Sequence, residues 1–77
     1  MTTPEQIKEW IEAGLAGSIA SVSGDGRHFD AVIICPAFAG CNTLKRHRMV
    51  YAALGAKMQV EIHALSMQTF TPDEKKL

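Results

Sequence analysis

The chain has 77 residues, of which 47% are hydrophobic, and it carries eight basic and eight acidic side chains. This length permits one domain with a thin core, and the hydrophobic content excludes a disordered tail. The balanced charge argues against a protein that binds nucleic acid mainly through its phosphates, so any basic patch has to be local. We therefore expect a single domain over residues 1–77.

The cysteines and the apolar runs indicate where such a protein works. Cys35 and Cys41 lie six residues apart and form neither a CxxC pair nor a disulfide framework. The N-terminus is polar, without a basic stretch before an apolar run, and no apolar run is long enough to cross a bilayer. These features predict a cytoplasmic protein in a reducing compartment, with no membrane partner.

The first segment carries the signals of a helix start. Thr3 is placed to cap a helix, Pro4 suits its first position, and Gln6 stands where a capping box needs its second member. Gly14 or Gly17 is expected to end this helix. Apolar residues recur at steps of three and four and predict its packed face: Ile7, Trp10, Ile11, Gly14 and Leu15.

Two strands are predicted next, over residues 18–23 and 27–35, joined by the turn Gly24-Asp25-Gly26 as a β-hairpin. The second strand contains an uninterrupted apolar run, residues 31–35, which is typical of a strand in the middle of its sheet. Pro36 ends the pairing because proline has no amide proton to donate.

A long amphipathic helix follows a turn at Gly40, with Asn42 as its N-cap. Lys45 and Arg48 lie off its apolar stripe and Arg46 lies near the edge of the stripe, so the helix is basic near its start. Residues at helical spacing predict the packed face of this helix: Leu44, His47, Tyr51, Leu54 and Met58, with Val50 beside them.

A third strand is predicted over residues 60–70, and a single helical turn after the Thr71-Pro72-Asp73-Glu74 signal. The helix between the second and third strands makes these two strands parallel, through a right-handed crossover. The pattern therefore predicts an α+β module of order α-β-β-α-β, whose helices cover one face of a three-stranded mixed sheet with the second strand central.

Three histidines and two cysteines are of residue types that bind metals. His63 opens the third predicted strand at the mouth of an apolar face, where it is placed to ligate a metal that a partner supplies in part; the alternative is a histidine hydrogen-bonded at a strand end. His28 closes the hairpin turn beside Arg27, and the alternative is an exposed turn residue. His47 lies on the predicted packed face, where a core histidine with a polar partner is expected.

The remaining candidates favour structural roles. Cys35, at the end of an apolar strand, is expected to be an inert buried thiol. Cys41 lies near a helix start with basic neighbours, which can make a thiol reactive, although a passive loop thiol is the simpler interpretation. The basic residues Lys45, Arg46 and Arg48 suit phosphate contacts, docking of an acidic partner, or a solvated face. No four-ligand zinc spacing, nucleophile elbow, phosphate loop or carboxylate pair is present, so no enzyme is predicted.

Several separated segments, in a fixed order and spanning nearly the whole chain, carry a resemblance to a known family: Phe38-Ala39-Gly40, Arg46-His47-Arg48-x-Val50-Tyr51-x-x-Leu54, Ile62-His63-Ala64-Leu65-Ser66 and Thr71-Pro72-Asp73-Glu74. In these segments the chain resembles the BolA family. The stretch over residues 22–29 is similar to the short, IbaG-type branch of that family.

The resemblance implies an α-β-β-α-α-β fold similar to class II KH domains, with one extra short helix at about residues 36–39. It also implies a monothiol glutaredoxin partner and a [2Fe–2S] cluster that this chain does not hold stably alone. In that arrangement the active-site cysteine of glutaredoxin and a bound glutathione hold part of the cluster. His63 matches the family's histidine ligand. The family's second ligand, a Cys or His, comes from the loop between the first two strands, where the first residue of either type in this chain is His28; the alternatives are Cys41 or no second ligand. The basic helix start, Lys45, Arg46 and Arg48, would then dock the partner.

The sequence therefore favours a non-enzymatic adaptor in iron–sulfur cluster trafficking or iron sensing. The alternative is a nucleic-acid-binding transcriptional regulator that uses the KH-like fold and the basic residues Lys45 to Arg48. Against the alternative, the chain lacks the GxxG loop with which KH domains clamp nucleotides. Whether the chain also forms a homodimer is left open.

Overall fold

A helix, two strands, two helices and a strand follow one another along residues 1–75, the part of the chain that the computed structural model describes. This order confirms the predicted small α+β fold. None of the helices in these residues is long and apolar enough to cross a membrane. The elements are α1 (Pro4–Gly14), β1 (Ile19–Gly24), β2 (His28–Ile34), a 3₁₀ turn (Pro36–Phe38), α2 (Thr43–Leu54), α3 (Lys57–Val60) and β3 (Ala64–Phe70).

The three strands form one mixed sheet in the order β1-β2-β3. β1 pairs with β2 in an antiparallel hairpin, and β2 pairs with β3 in parallel, as predicted. The amide of Cys35 still donates to the carbonyl of Phe70, at 2.9 Å, and Pro36 then ends the pairing. β2 is therefore central, and its first residue, His28, lies opposite Ala64 at the start of β3.

The core lies between the helices and one face of this sheet. Alternate residues of β2 are buried there, namely Phe29, Ala31 and Ile33, whereas Val32 and Ile34 on the other face are half-buried. The apolar run that predicted a central strand is thus fully buried on one side only. The buried apolar residues form one cluster: Ile7, Ile11, Ala20, Phe29, Ala31, Ile33, Cys35, Phe38, Val50, Leu54 and Ile62.

The first helix is as predicted. The hydroxyl of Thr3 accepts from the amide of Gln6 at 3.2 Å, and the side chain of Gln6 accepts from the amide of Thr3 at 3.0 Å, which completes the capping box. Ile7 and Ile11 are buried on the core side. The helix ends at Gly14, where α1 approaches α2 most tightly, since a Cβ built on Gly14 would lie 2.7 Å from the carbonyl oxygen of Ala53.

The predicted packed face of α2 is wrong in part. The Asn42 cap is confirmed, because its side chain accepts from the amide of Lys45 at 2.9 Å. Leu44 and Tyr51, however, are 59% and 41% exposed, and the buried residues of α2 are Val50 and Leu54. The helix is rotated relative to the prediction because Arg46, one turn before Val50, faces inward and has its polar partners within the protein, as described below.

The apolar stripe predicted for this helix also included Met58, which lies beyond the end of α2. Gly55 takes a positive φ of 57° and ends the helix after Leu54. Met58 therefore lies on the separate helix α3 (Lys57–Val60), where it is half-buried.

The predicted third strand, residues 60–70, is wrong in its first part. Residues 57–60 form α3, and β3 begins only at Ala64. Val60 is 78% exposed and Ile62 only 4%, which a strand does not allow, since residues two apart lie on the same face. His63 consequently lies in a bend just before β3 rather than in the strand itself.

The C-terminal prediction was a single helical turn after the Thr71 signal. Residues 72–75 form a turn in which the amide of Lys75 donates to the carbonyl of Thr71, at 3.1 Å. The rest of the predicted turn, Lys76 and Leu77, lies outside the described residues.

We predict that Gly14→Ala destabilises the protein. In an unconstrained helix, alanine in place of glycine would stabilise by about 1 kcal/mol. Here the added Cβ would meet the backbone of Ala53, and such overpacking costs about 1–3 kcal/mol. The free energy of unfolding, measured by urea denaturation, decides which of the two effects dominates. It should decrease if overpacking against Ala53 outweighs the higher helix propensity of alanine. A stabilised variant would show that the helices are not in close contact at this point.

Candidate metal site

Two of the three histidines come together at one end of the sheet, where β2 and β3 begin. His28 is the first residue of β2, and His63 immediately precedes β3. Because the parallel register places His28 opposite Ala64, the residue before Ala64 lies beside it. The two imidazole rings have their centroids 5.9 Å apart and meet edge to face, at 85°. Both side chains are exposed.

Backbone hydrogen bonds hold both histidine-bearing segments in place. The carboxylate of Asp25 accepts from the amides of Arg27 and His28, at 2.9 Å each, which fixes the hairpin turn. These hydrogen bonds, that of His28 first, lower the pKa of Asp25, because they favour its charged form. The amide of Ala64 donates to the carbonyl of Arg27, at 3.0 Å, and so joins the segment carrying His63 to the segment carrying His28.

The separation of the two histidine rings is compatible with a shared metal centre. A bond from an imidazole nitrogen to a metal is about 2.1 Å long, so two rings whose centroids are 5.9 Å apart are within the span of one metal centre. In residues 1–75 there is no group of three or more His, Cys, Asp or Glu side chains that could hold a metal ion. A four-coordinate metal at this pair would need its other ligands from another molecule.

The other side chains of metal-binding type belong to different parts of the fold. Cys35 is buried, with its Sγ 3.6 Å from the carbonyl of Ala16. Cys41 is half-buried after the 3₁₀ turn, with its Sγ 3.7 Å from the carbonyl of Ala37. His47 is half-buried on α2. In the described residues, neither cysteine nor His47 belongs to a group of three or more side chains that could hold a metal ion.

The basic residues lie at the opposite end of the sheet from the histidines. Arg46 contacts Thr69, near the end of β3, whereas His63 precedes its start. Six residues of extended chain separate these two points, which corresponds to roughly 20 Å. The structure therefore does not bring the predicted metal ligands and the predicted docking residues into one site.

Arg46 makes its polar contacts within the protein. Its side chain is only 12% exposed. Its Nε donates to the carbonyl of Cys41 at 2.8 Å, and its Nη1 to the carbonyl of Thr69 at 3.3 Å. Both Nη atoms donate to the carboxylate of Glu74, at 2.6 and 3.0 Å, and the guanidinium lies 5.7 Å from the ring centroid of Phe38. Arg46 thus joins α2, the end of β3 and the C-terminal turn.

Glu74 completes this arrangement, which we call the Arg46 clamp. Its carboxylate accepts from the amide of Thr71 at 2.8 Å, while its own amide donates to the hydroxyl of Thr71 at 3.2 Å. The hydrogen bonds from Arg46 first, and then from Thr71, lower the pKa of Glu74 to about 2. Of the three predicted docking residues, Lys45 and Arg48 are exposed, whereas the charge of Arg46 is already balanced by Glu74.

Sequence patterns did not single out every residue that shapes the site. Asp25 lies in the predicted hairpin turn, and an aspartate that accepts from the amides two and three residues later is a known turn pattern and a usable signal. Thr2, which is buried and contacts the segment carrying His63, has no local signal at all. Its contact joins residues 59 positions apart.

A family model described as "BolA-like protein" matches residues 12–74, which include both histidines and the Arg46 clamp. The chain belongs to the BolA family. A bolA protein homologue from Coxiella burnetii has a similar solved structure, with a TM-score of 0.95 and 55% sequence identity over the full length of both chains. The BolA fold expected from the resemblance is therefore confirmed.

Two curated relatives carry different names. The chloroplastic protein BOLA1 of Arabidopsis thaliana is 40% identical over 62 residues, which are 80% of this chain and 38% of that protein. A protein named DNA-binding transcriptional regulator BolA, from Escherichia coli, is 36% identical over 52 residues, which are 68% of this chain and 50% of that protein. This BolA-family chain thus spans half or less of the length of these two relatives.

We predict that the Arg46 clamp stabilises the protein above pH 4.5 and loses its effect below. The pKa of Glu74 falls from 4.5 to about 2 on folding, so the stabilisation is complete where the unfolded carboxyl is ionised. It disappears as the pH decreases from 4.5 to about 2 and the folded carboxyl becomes protonated. Urea denaturation of the wild type and Glu74→Gln should give a stability difference that narrows over this range.

Asp73→Asn provides the control for this measurement, because it removes a neighbouring carboxylate outside the clamp. It should retain the pH profile of the wild type. A stability difference for Glu74→Gln that stays constant from pH 6 to pH 2 would show that the ion pair is not formed in solution.

Proposed function

We propose that this BolA-family chain is a non-enzymatic, cytoplasmic adaptor in iron–sulfur cluster trafficking or iron sensing. It binds a monothiol glutaredoxin and shares with it a [2Fe–2S] cluster, to which glutathione also contributes a ligand. The observation that carries the proposal is the pair formed by His28 and His63. Their ring centroids lie 5.9 Å apart, and both residues are exposed at the end of the sheet where β2 and β3 begin.

The ligand chemistry supports this assignment. Two imidazoles are half of the ligand set of a [2Fe–2S] cluster, and a mixed set of two histidines and two thiolates is known for such clusters. Histidine in place of cysteine raises the reduction potential of the cluster, which suits exchange or sensing. With only two ligands, His28 and His63, this chain is not expected to hold the cluster alone. Exposure of both rings leaves room for the partner that supplies the other two.

The docking surface is proposed separately from the ligands. Lys45 and Arg48 present two exposed cations in the first turns of α2. Arg46 lies between them in the sequence and holds the start of α2 in place through its contacts with Cys41 and Glu74. A partner that contacts both these cations and the histidines has to span roughly 20 Å along the sheet, which is within the diameter of a small domain. An acidic patch on the glutaredoxin at that distance from its active-site cysteine is the complement we expect.

The first experiment mixes the purified chain with a cluster-loaded monothiol glutaredoxin and records visible absorption and circular dichroism. His63→Ala and His28→Ala are each expected to abolish the spectral change of the mixed complex, because each removes one of the two imidazoles. His47→Ala is the matched control, since it removes a histidine from α2, and it should give the wild-type spectrum.

The outcomes are distinct. Wild-type spectra from both His28→Ala and His63→Ala would exclude the histidine pair as the ligand site. Loss of the signal in His63→Ala alone would leave His63 as a ligand and exclude His28. An unchanged glutaredoxin spectrum on addition of the wild-type chain would refute the shared cluster altogether.

The second candidate function is nucleic-acid binding, in the manner suggested by the name of the Escherichia coli relative. The exposed cations Lys45 and Arg48, at the start of a helix, are the feature that favours it. The Arg46 clamp weighs against it, because the third cation of the basic run is paired with Glu74. Two phosphate contacts are few for a specific DNA-binding surface.

A salt titration separates this function from the adaptor role. If Lys45 and Arg48 contact phosphates, the logarithm of the affinity for duplex DNA should fall against the logarithm of salt concentration with a slope of about −2. The double variant Lys45→Glu/Arg48→Glu should then abolish binding, whereas His63→Ala should not affect it. Micromolar or tighter binding at physiological salt that depends on these cations would favour the regulator over the adaptor.

A further inference from the structure

Thr2 is a buried polar side chain near the start of the chain, only 7% exposed. Its hydroxyl donates to the carbonyl of Glu61, at 2.6 Å. Glu61 lies two residues before His63, in the irregular stretch between α3 and β3. A hydroxyl buried at this place therefore acts on the short segment that carries one of the two histidines.

The segment from α3 to His63 is held at α3 by Met58, which packs against the core, and by Lys57, whose Nζ lies 4.9 Å from the ring centroid of Trp10. α3 is a four-residue helix with no buried residue. Between it and β3 only the side chain of Ile62 is buried. The amide of Ala64 fixes the far end of the segment, by donating to Arg27 at 3.0 Å. Thr2 supplies the long-range hydrogen bond at the near end.

Thr2 is itself held firmly. The capping box of α1 begins at the next residue, Thr3, and α1 is anchored in the core by Ile7 and Ile11. The residue before it, Met1, has its side chain alongside the hairpin turn, since a Cβ built on Gly26 would lie 3.1 Å from the Met1 sulfur. Thr2 therefore connects α1 to the segment that leads into His63.

We propose that Thr2 is a positioning residue for His63. By fixing the carbonyl of Glu61 relative to α1, its hydroxyl sets where the bend before β3 lies and so keeps the His63 ring within reach of His28. The consequence for ligand binding rests on the adaptor function proposed above, whereas the effect on the histidine pair does not. A positioning group that touches neither metal nor ligand can still change metal affinity through ligand orientation.

The test compares Thr2→Val, which keeps the shape but lacks the hydroxyl, with Thr2→Ser, which retains it. Glu12→Ala is the matched control. The carboxylate of Glu12 accepts from the amide of Ala20 and so joins α1 to β1, at the end of β1 that lies away from the histidines. The first readout uses the free chain: the nuclear Overhauser effect between the His28 and His63 rings, and hydrogen exchange of the Ala64 amide relative to that of Ile33 in the core.

In the free chain, Thr2→Val should weaken the nuclear Overhauser effect between the His28 and His63 rings. It should also raise the exchange rate of the Ala64 amide relative to Ile33 about tenfold, the order expected when a local segment loses one hydrogen bond. Thr2→Ser should restore both values. Glu12→Ala should lower the overall stability without changing the Overhauser effect between the rings or the exchange rate of Ala64 relative to Ile33. If Thr2→Val is too unstable to study, Thr2→Ala removes the same hydroxyl without adding a second methyl group.

The second readout is the affinity of the mixed complex with cluster-loaded glutaredoxin, followed by visible circular dichroism. Thr2→Val should weaken it about fivefold to tenfold, within the range of a lost supporting hydrogen bond, and Thr2→Ser should restore it. A Thr2→Val variant that melts earlier but keeps wild-type ring contacts and Ala64 exchange would overturn the proposal, leaving Thr2 a purely structural residue. Failure of the wild type to form the complex would instead refute the adaptor function, and the free-chain readouts would still decide the role of Thr2.

Discussion

The parallel pairing of β2 with β3 is the constraint on which the candidate site depends. Its register places His28 opposite Ala64, and so brings two histidines 35 positions apart in the chain to a ring separation of 5.9 Å. A slip of one residue would turn the side chains of β3 to the other face and expose its core side. The core therefore enforces the histidine pair, because Leu65 and Met67 of β3 have to pack against it.

Parallel strands cannot be joined by a tight turn, and the connection they require shapes the rest of the molecule. α2 and α3 form that crossover, and they return the chain to the edge of the sheet where β2 begins. The basic start of α2 is thereby placed at the opposite end, beside the end of β3. One topological requirement separates the end of the sheet that carries the histidine pair from the basic end, so a partner that contacts both must lie along the sheet.

The parts of the fold that the sequence predicted are those determined by local chemistry. The Thr3 cap, the Asn42 cap and the order of the strands follow from residues close together in the chain, and all are confirmed. The packed face of α2 could not be predicted, because Arg46 faces inward only when Glu74, 28 positions away, balances its charge. The predicted start of β3 is too early because Val60 and Ile62 are residue types typical of strands. In the structure Val60 is exposed and Ile62 is buried, so the two do not share one face of a strand.

The candidate site shows the same division. His63 and His28 stand out by residue type, position and family resemblance, but their spacing in the sequence does not predict the distance between them, since it is the parallel register that places them side by side. The contribution of Thr2 is further from prediction, because an unremarkable threonine acquires its role from a contact made across 59 positions. Sequence patterns therefore identify the groups that can bind a metal, while long-range contacts determine how those groups are held.

Incompleteness of the histidine pair is consistent with a site that works between two proteins. A closed four-ligand site would hold its metal without a partner and would release it slowly. The sheet, Asp25 and the Ala64–Arg27 hydrogen bond fix the backbone around both histidines, so chiefly side-chain freedom is lost when a partner completes the set. In the proposed adaptor, the rigidity of the backbone around His28 and His63 would contribute to affinity, and the missing ligands would make binding conditional on the partner.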